Sequence, residues 1–102
     1  MTSYNKVNGI HTANSYDLCM EFLRNECSFE GIIMTDWMTT NNGGGSSAAK
    51  CMQAGNDLIM PGNVSDILEI EEAVYGEKNL KIEEKDLRIC AGRVLKMIFD
   101  CN

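Results

Sequence analysis

Basic residues are scarce in this chain of 102 residues: 9 Lys and Arg stand against 15 Asp and Glu, for a formal net charge of -6. Such a chain repels phosphate backbones, and no run of Lys or Arg offsets the excess, so no nucleic acid is expected as a partner. Long apolar runs are missing too. None approaches the roughly 20 residues that cross a bilayer as a helix, so no membrane partner is expected. The opening Met1-Thr2-Ser3-Tyr4-Asn5-Lys6 has no apolar core behind a basic head, as a secretory leader would, although a fragment would lose such a leader. Histidine occurs once, and the 5 cysteines (Cys19, Cys27, Cys51, Cys90, Cys101) form no CxxC pair. No metal site and no cofactor is expected from that set. An odd, widely spaced group of cysteines among apolar residues reads as small buried hydrophobes. It fits a reducing compartment, so the expected location is cytoplasmic.

What is present is globular: 44% hydrophobic and 24% charged residues. Met1 to Asn5 is β-compatible and Asn8-Gly9 is a turn signal. The spacing of Leu18, Cys19, Phe22 and Leu23 predicts a helix over about residues 15–26. Ile32-Ile33-Met34 is a continuous apolar run of the kind found in a strand covered on both faces, and it ends abruptly in Asp36-Trp37. A polar loop rich in glycine follows (Thr39 to Gly45). Ser46 and Ser47 open a short helix that Gly55 stops. Asp57 to Met60 reads as a further strand, Asn63 as the cap of a helix closed by Gly76, and residues 83–99 as a last helix with the stripe Leu87, Cys90, Ala91, Val94, Ile98. The order is β-α-β-α-β-α-α, an α/β class with parallel strands joined by right-handed crossovers.

Three strands do not make a comfortable α/β domain; the alternative, a complete small flavodoxin-like sheet, would normally contain more strands. A (β/α)8 barrel typically needs about 250 residues, so residues 1–102 read as the last part of a barrel from a larger protein. In parallel folds the chemistry sits at the C-terminal ends of the strands. That rule selects Tyr4-Asn5, Asp36-Trp37 and Pro61-Gly62. A carboxylate at Asp36 beside an aromatic plane at Trp37 suits a sugar site. The same pair also reads as a turn cap with a tryptophan packed on the rim. Gly43 to Ser47 offers a second function, a phosphate cradle at a helix N-terminus, although it matches neither the Gly-Lys-Ser/Thr loop nor G-x-G-x-x-G. A third reading is a non-catalytic, self-associating fragment. His11 reads as a solvent-facing loop residue.

The ordered blocks Met1-Thr2-Ser3-Tyr4-Asn5-Lys6-Val7-Asn8-Gly9, Leu23-Arg24, Phe29-Glu30-Gly31-Ile32-Ile33-Met34-Thr35-Asp36-Trp37, Ala54-Gly55-Asn56-Asp57-Leu58-Ile59-Met60-Pro61-Gly62 and Asp86-Leu87-Arg88 through Arg93-Val94-Leu95 resemble glycoside hydrolase family 3, the β-glucosidase family. The resemblance covers nearly the whole chain. It implies a catalytic (β/α)8 barrel, a carbohydrate substrate, Asp36 as the nucleophile, and Met1, Tyr4 and Trp37 around the sugar. Trp37 favours the glucosidase-like branch over the N-acetylglucosaminidase branch. The resemblance also implies that the acid/base glutamate and the remaining sugar-gripping residues come from the rest of the parent enzyme. Cys27-Ser28 departs from the family's common Trp-Gly, which bears on local packing.

Overall fold

The structure is a computed structural model that describes residues 1–40, 45–78 and 80–102. Strands β1 (Lys6–Val7) and β2 (Ile10–His11) pair antiparallel, Lys6 opposite His11 and Val7 opposite Ile10. Asn8 and Gly9 turn the chain with left-handed φ values of 52° and 80°, the requirement of the tight hairpin turn that Asn-Gly favours. A 3-10 turn (Thr12–Asn14) and a π-helix (Asp17–Glu26) follow, then α1 (Ala48–Ala54), α2 (Val64–Tyr75) and α3 (Glu84–Asp100).

The helices stand where capping chemistry puts them. Ser47 Oγ accepts the Lys50 amide at 3.2 Å, and Gly55 ends α1 in a left-handed conformation with φ 80°. Asn63 and Asp66 form a reciprocal capping box on α2, at 3.0 and 3.1 Å. The Asp86 carboxylate accepts the Glu83 amide at 3.1 Å at the start of α3.

The strands differ from expectation. Among the described residues the one named sheet is the antiparallel hairpin, and the expected parallel strands are reduced to a single parallel bridge, Met34 to Leu58. Side chains are the reason. The bridge is made by Leu58 N donating to Ile33 O and Thr35 N donating to Leu58 O, at 3.2 and 2.9 Å. One step further along, the ladder partners are diverted. Met60 N donates to Thr35 Oγ1 at 2.8 Å, Trp37 N to Asp36 Oδ1 at 2.7 Å, and the Met60 carbonyl accepts from Met38 N at 2.9 Å. Side-chain oxygens that compete for backbone donors end a ladder in this way. On the other side, Thr2 N donates to Met34 O at 2.8 Å, so residues 1–3, 32–36 and 56–60 lie side by side. The fold is a mixed α/β arrangement.

The π-helix also changes a detail. Its Cys27 amide reaches Phe22 O at 3.0 Å, an i→i+5 bond. Buried or half-buried positions are Leu18, Cys19, Met20, Leu23 and Arg24, while Phe22 turns outward. The wider winding rotates Phe22 off the α-helical stripe.

The core is built on α1. Ala48, Ala49, Cys51, Met52 and Ala54 are all buried. Their small side chains let Ala13, Ala73 of α2, Ile82 and Cys90 of α3 close around it. α3 meets this core through Cys90, with Leu87 half-buried against it, but Ala91 and Ile98 of the expected stripe are exposed. For Ile98 the lengths are the reason: at about 1.5 Å per residue α1 is roughly 10 Å long and α3 roughly 25 Å, so the end of α3 overruns its partner.

One buried ion cluster pins the elements together. Asp57 Oδ2 pairs with Arg24 at 2.5 Å and also accepts the Ile33 amide at 3.0 Å. Asp57 Oδ1 pairs with Arg93 of α3 at 2.9 Å. Arg24 further donates to the carbonyls of Gly31 and Gly55, at 2.8 and 3.2 Å. A charge with no exposed surface is tolerated because every oxygen is paired.

Candidate functional site

Asp36 leaves the end of the 32–36 segment and is half-buried. Its Oδ1 is held by the Trp37 amide at 2.7 Å. Two carboxylate oxygens share four lone-pair sites, so this bond orients the group and leaves it able to accept or attack elsewhere. Trp37 is 54% exposed, with its ring open to a ligand. Tyr4 reaches the same place from the first segment, and its phenol donates to the Trp37 carbonyl at 2.7 Å. Partial desolvation, then hydrogen bonding to and charge on the neighbouring Asp36 carboxylate, raise the Tyr4 phenol above its usual pKa. A phenol has one proton. The Trp37 carbonyl takes it in this arrangement, and the Asp36 carboxylate is the competing acceptor.

Asp36, Trp37 and Tyr4 are therefore brought together. Met1 is 71% exposed and lines a separate cavity of about 240 Å³ with Cys19, Phe22 and Ile33. His11 departs from the expected free loop position. It lies in β2, half-buried, with Nδ1 at 3.3 Å from the Tyr4 carbonyl oxygen, a contact that needs the proton on Nδ1. The Asn8-Gly9 hairpin is the sequence signal that would have found it, because its register folds His11 back beside residues 4–6. Met38 has φ 63°, a left-handed conformation outside glycine, directly after Trp37. Its side chain gives no sequence signal for that.

The phosphate-cradle reading meets donors already in use. Ser47 N donates to Asn14 Oδ1 at 2.8 Å and Ala49 N to Glu69 Oε1 at 3.2 Å, while Ser47 Oγ also bonds Glu69. The chain's own carboxylate fills the place an anion would take at the start of α1. Gly43 and Gly44 lie outside the described residues. Among the described residues no group of three or more His, Cys, Asp or Glu is arranged to hold a metal ion.

Comparison with known proteins agrees in one direction. The model of the glycosyl hydrolase family 3 N terminal domain matches residues 1–97. A beta-glucosidase of Rhizobium radiobacter is 36% identical over 98 residues, covering 96% of this chain and 11% of the relative. An exo-alpha-(1->6)-L-arabinopyranosidase of Bifidobacterium breve is 35% identical over 95 residues, covering 92% and 11%. Among solved structures, beta-glucosidase 3B from Thermotoga neapolitana in complex with glycerol superposes with a TM-score of 0.76 at 37% identity, covering 91% of this chain and 13% of that one. The same enzyme in complex with glucose gives a TM-score of 0.71. The chain thus spans about a tenth of the length of the curated relatives it matches.

Proposed function

Because this chain belongs to glycosyl hydrolase family 3, we propose that it is the part of a retaining β-glycosidase that supplies the nucleophile, Asp36. The observation that carries this reading is the Asp36 carboxylate, oriented by the Trp37 amide at 2.7 Å beside an exposed tryptophan ring and the Tyr4 phenol. The substrate is a terminal β-linked glucosyl or related sugar. The ionised carboxylate attacks the anomeric carbon, the bond to the leaving oxygen breaks, and a glycosyl ester on Asp36 forms. A second carboxyl group, about 5–5.5 Å away, protonates the leaving oxygen and then activates the water that cleaves the ester. That group is a glutamate on another domain of the complete enzyme, the partner this chain requires along with the carbohydrate. Trp37 gives the sugar a stacking plane with Tyr4 beside it, while Met1, the other residue of the family's sugar-lining motif, lines the separate cavity described above.

On this reading residues 1–102 are the last part of a (β/α)8 barrel, and the parallel bridge between Met34 and Leu58 supports the placement. The cytoplasm is the proposed location, supported by 5 free cysteines of which Cys19, Cys51 and Cys90 are buried thiols. The test is made in the complete enzyme. Asp36→Asn should abolish hydrolysis of an aryl β-glucoside without unfolding the protein, and a 2-deoxy-2-fluoro glycoside should label Asp36. A label on another carboxylate, or a fully active Asp36→Asn variant, removes the assignment.

A further inference from the structure

Tyr4 has so far been given a place at the sugar, but its hydrogen bond goes elsewhere. The phenol donates to the Trp37 carbonyl at 2.7 Å. The other end of that same peptide unit, the Met38 amide, donates to the Met60 carbonyl at 2.9 Å. The Trp37–Met38 peptide is thus gripped from both neighbouring segments, residues 1–5 on one side and 56–60 on the other. The grip holds a conformation that Met38 resists. Its φ of 63° puts Cβ against the carbonyl oxygen, in a region that residues with a side chain rarely adopt. The relaxed alternative is a flip of this one peptide, which turns the Trp37 carbonyl away and returns Met38 to negative φ. Trp37 is also the residue whose amide orients Asp36 Oδ1 at 2.7 Å. A flip on one side of Trp37 loosens the donor on its other side.

We infer that Tyr4 is a positioning residue: together with the Met60 carbonyl it clamps the Trp37–Met38 peptide against a strained Met38, and so keeps the Trp37 amide aimed at Asp36. This inference rests on the reading of Asp36 as the nucleophile. It differs from a role for Tyr4 as a donor to the carboxylate or to the sugar: the phenol donates to the Trp37 carbonyl at 2.7 Å, with Asp36 as the competing acceptor.

The strain at Met38 supplies the test, because glycine adopts φ near 60° without penalty and needs no clamp. In the complete enzyme, Tyr4→Phe should lower kcat about 10- to 100-fold, the scale of a small misplacement of a reacting group, with KM within about twofold. The acid limb of the pH–rate profile should stay where it is. Adding Met38→Gly to Tyr4→Phe should recover most of the lost kcat relative to Met38→Gly alone. An acid limb displaced upward by Tyr4→Phe would mean that Tyr4 donates directly to Asp36, and a raised KM would mean that it binds the sugar. Either result, or a double variant as slow as Tyr4→Phe, overturns the clamp. Fluorosugar labelling of the unsubstituted enzyme separates the two levels. Failure to label Asp36 removes the nucleophile assignment itself, whereas a labelled Asp36 with no rescue removes the clamp alone.

Discussion

At the scale of single residues, backbone conformation decides more than side-chain chemistry does around this site. Ser28 sits at φ 55°, in the left-handed region, at the position where the family commonly has glycine. The turn it makes joins the π-helix to the extended segment that ends in Asp36, and Phe29 N closes it on Leu23 O at 3.1 Å. Serine bears the penalty that glycine avoids there. Ser28→Gly should therefore stabilise the chain, by about 0.5–1 kcal/mol once the added freedom of the unfolded glycine is deducted. A higher midpoint in urea denaturation with an unchanged slope would show it. A lower midpoint would mean that the Ser28 side chain makes a compensating contact.

At the scale of elements, two kinds of buried group sit where elements meet. Asp57 accepts from Arg24 in the last turn of the π-helix and from Arg93 on α3, so its removal strands two guanidinium groups. Arg24 is already pulled below its ordinary pKa, first by burial, and Asp57 is what keeps its charge tolerable. Asp57→Asn should cost about 3–5 kcal/mol, the scale of breaking a buried pair, and denaturant unfolding measures it. The second group is the pair of core thiols. Burial pushes Cys51 of α1 and Cys90 of α3 up to about 12, from an ordinary 9.0. Below about pH 9 both are protonated folded or unfolded, and their contribution is complete. As pH rises from about 9 towards 12 the unfolded chain loses these protons and the folded chain keeps them. Stability then falls by up to about 1.4 kcal/mol per pH unit for each thiol. A urea midpoint measured across that range should drop steeply, and Cys51→Ala should make the drop shallower. An unchanged slope in that variant would show that Cys51 ionises as readily in the fold as outside it.

At the scale of the whole molecule, apolar side chains remain uncovered on two helices. Val64, Ile67, Leu68 and Tyr75 of α2 are exposed, as are Leu95, Ile98 and Phe99 of α3, the last at 73%. Surfaces of this kind mark places where something else packs. In the complete enzyme that is the proposed remainder of the barrel. For the isolated chain we expect self-association and no glycosidase activity, because the proposed reading assigns the proton donor and the other sugar contacts to the rest of the complete enzyme; general acid catalysis by itself typically supplies about 10²–10⁴-fold. Light scattering and an aryl-glucoside assay on the purified chain check both statements. An active monomer would overturn them.

What the sequence determined by itself was local and chemical. Ser47, Gly55, Asn63 and Gly76 mark helix ends through hydrogen bonds and φ values that depend on neighbours a few residues away, so the helices were legible. The ordered motifs carried the family, and Asp36 and Trp37 were legible because they end an apolar run. Tertiary structure decided the rest. Whether residues 32–36 and 57–60 extend a ladder depends on Thr35 and Asp36 oxygens competing for amides of Trp37 and Met60, which no periodicity reports. Whether the end of the α3 stripe is buried depends on the length of α1 against it. That Tyr4 bonds the Trp37 carbonyl, that Met38 is held left-handed, and that Asp57 joins Arg24 to Arg93 are contacts between residues dozens of positions apart in sequence, or consequences of them. Local hydrogen bonding and side-chain size are written in neighbouring residues. The partner of a long-range donor is set only when the segments are laid side by side.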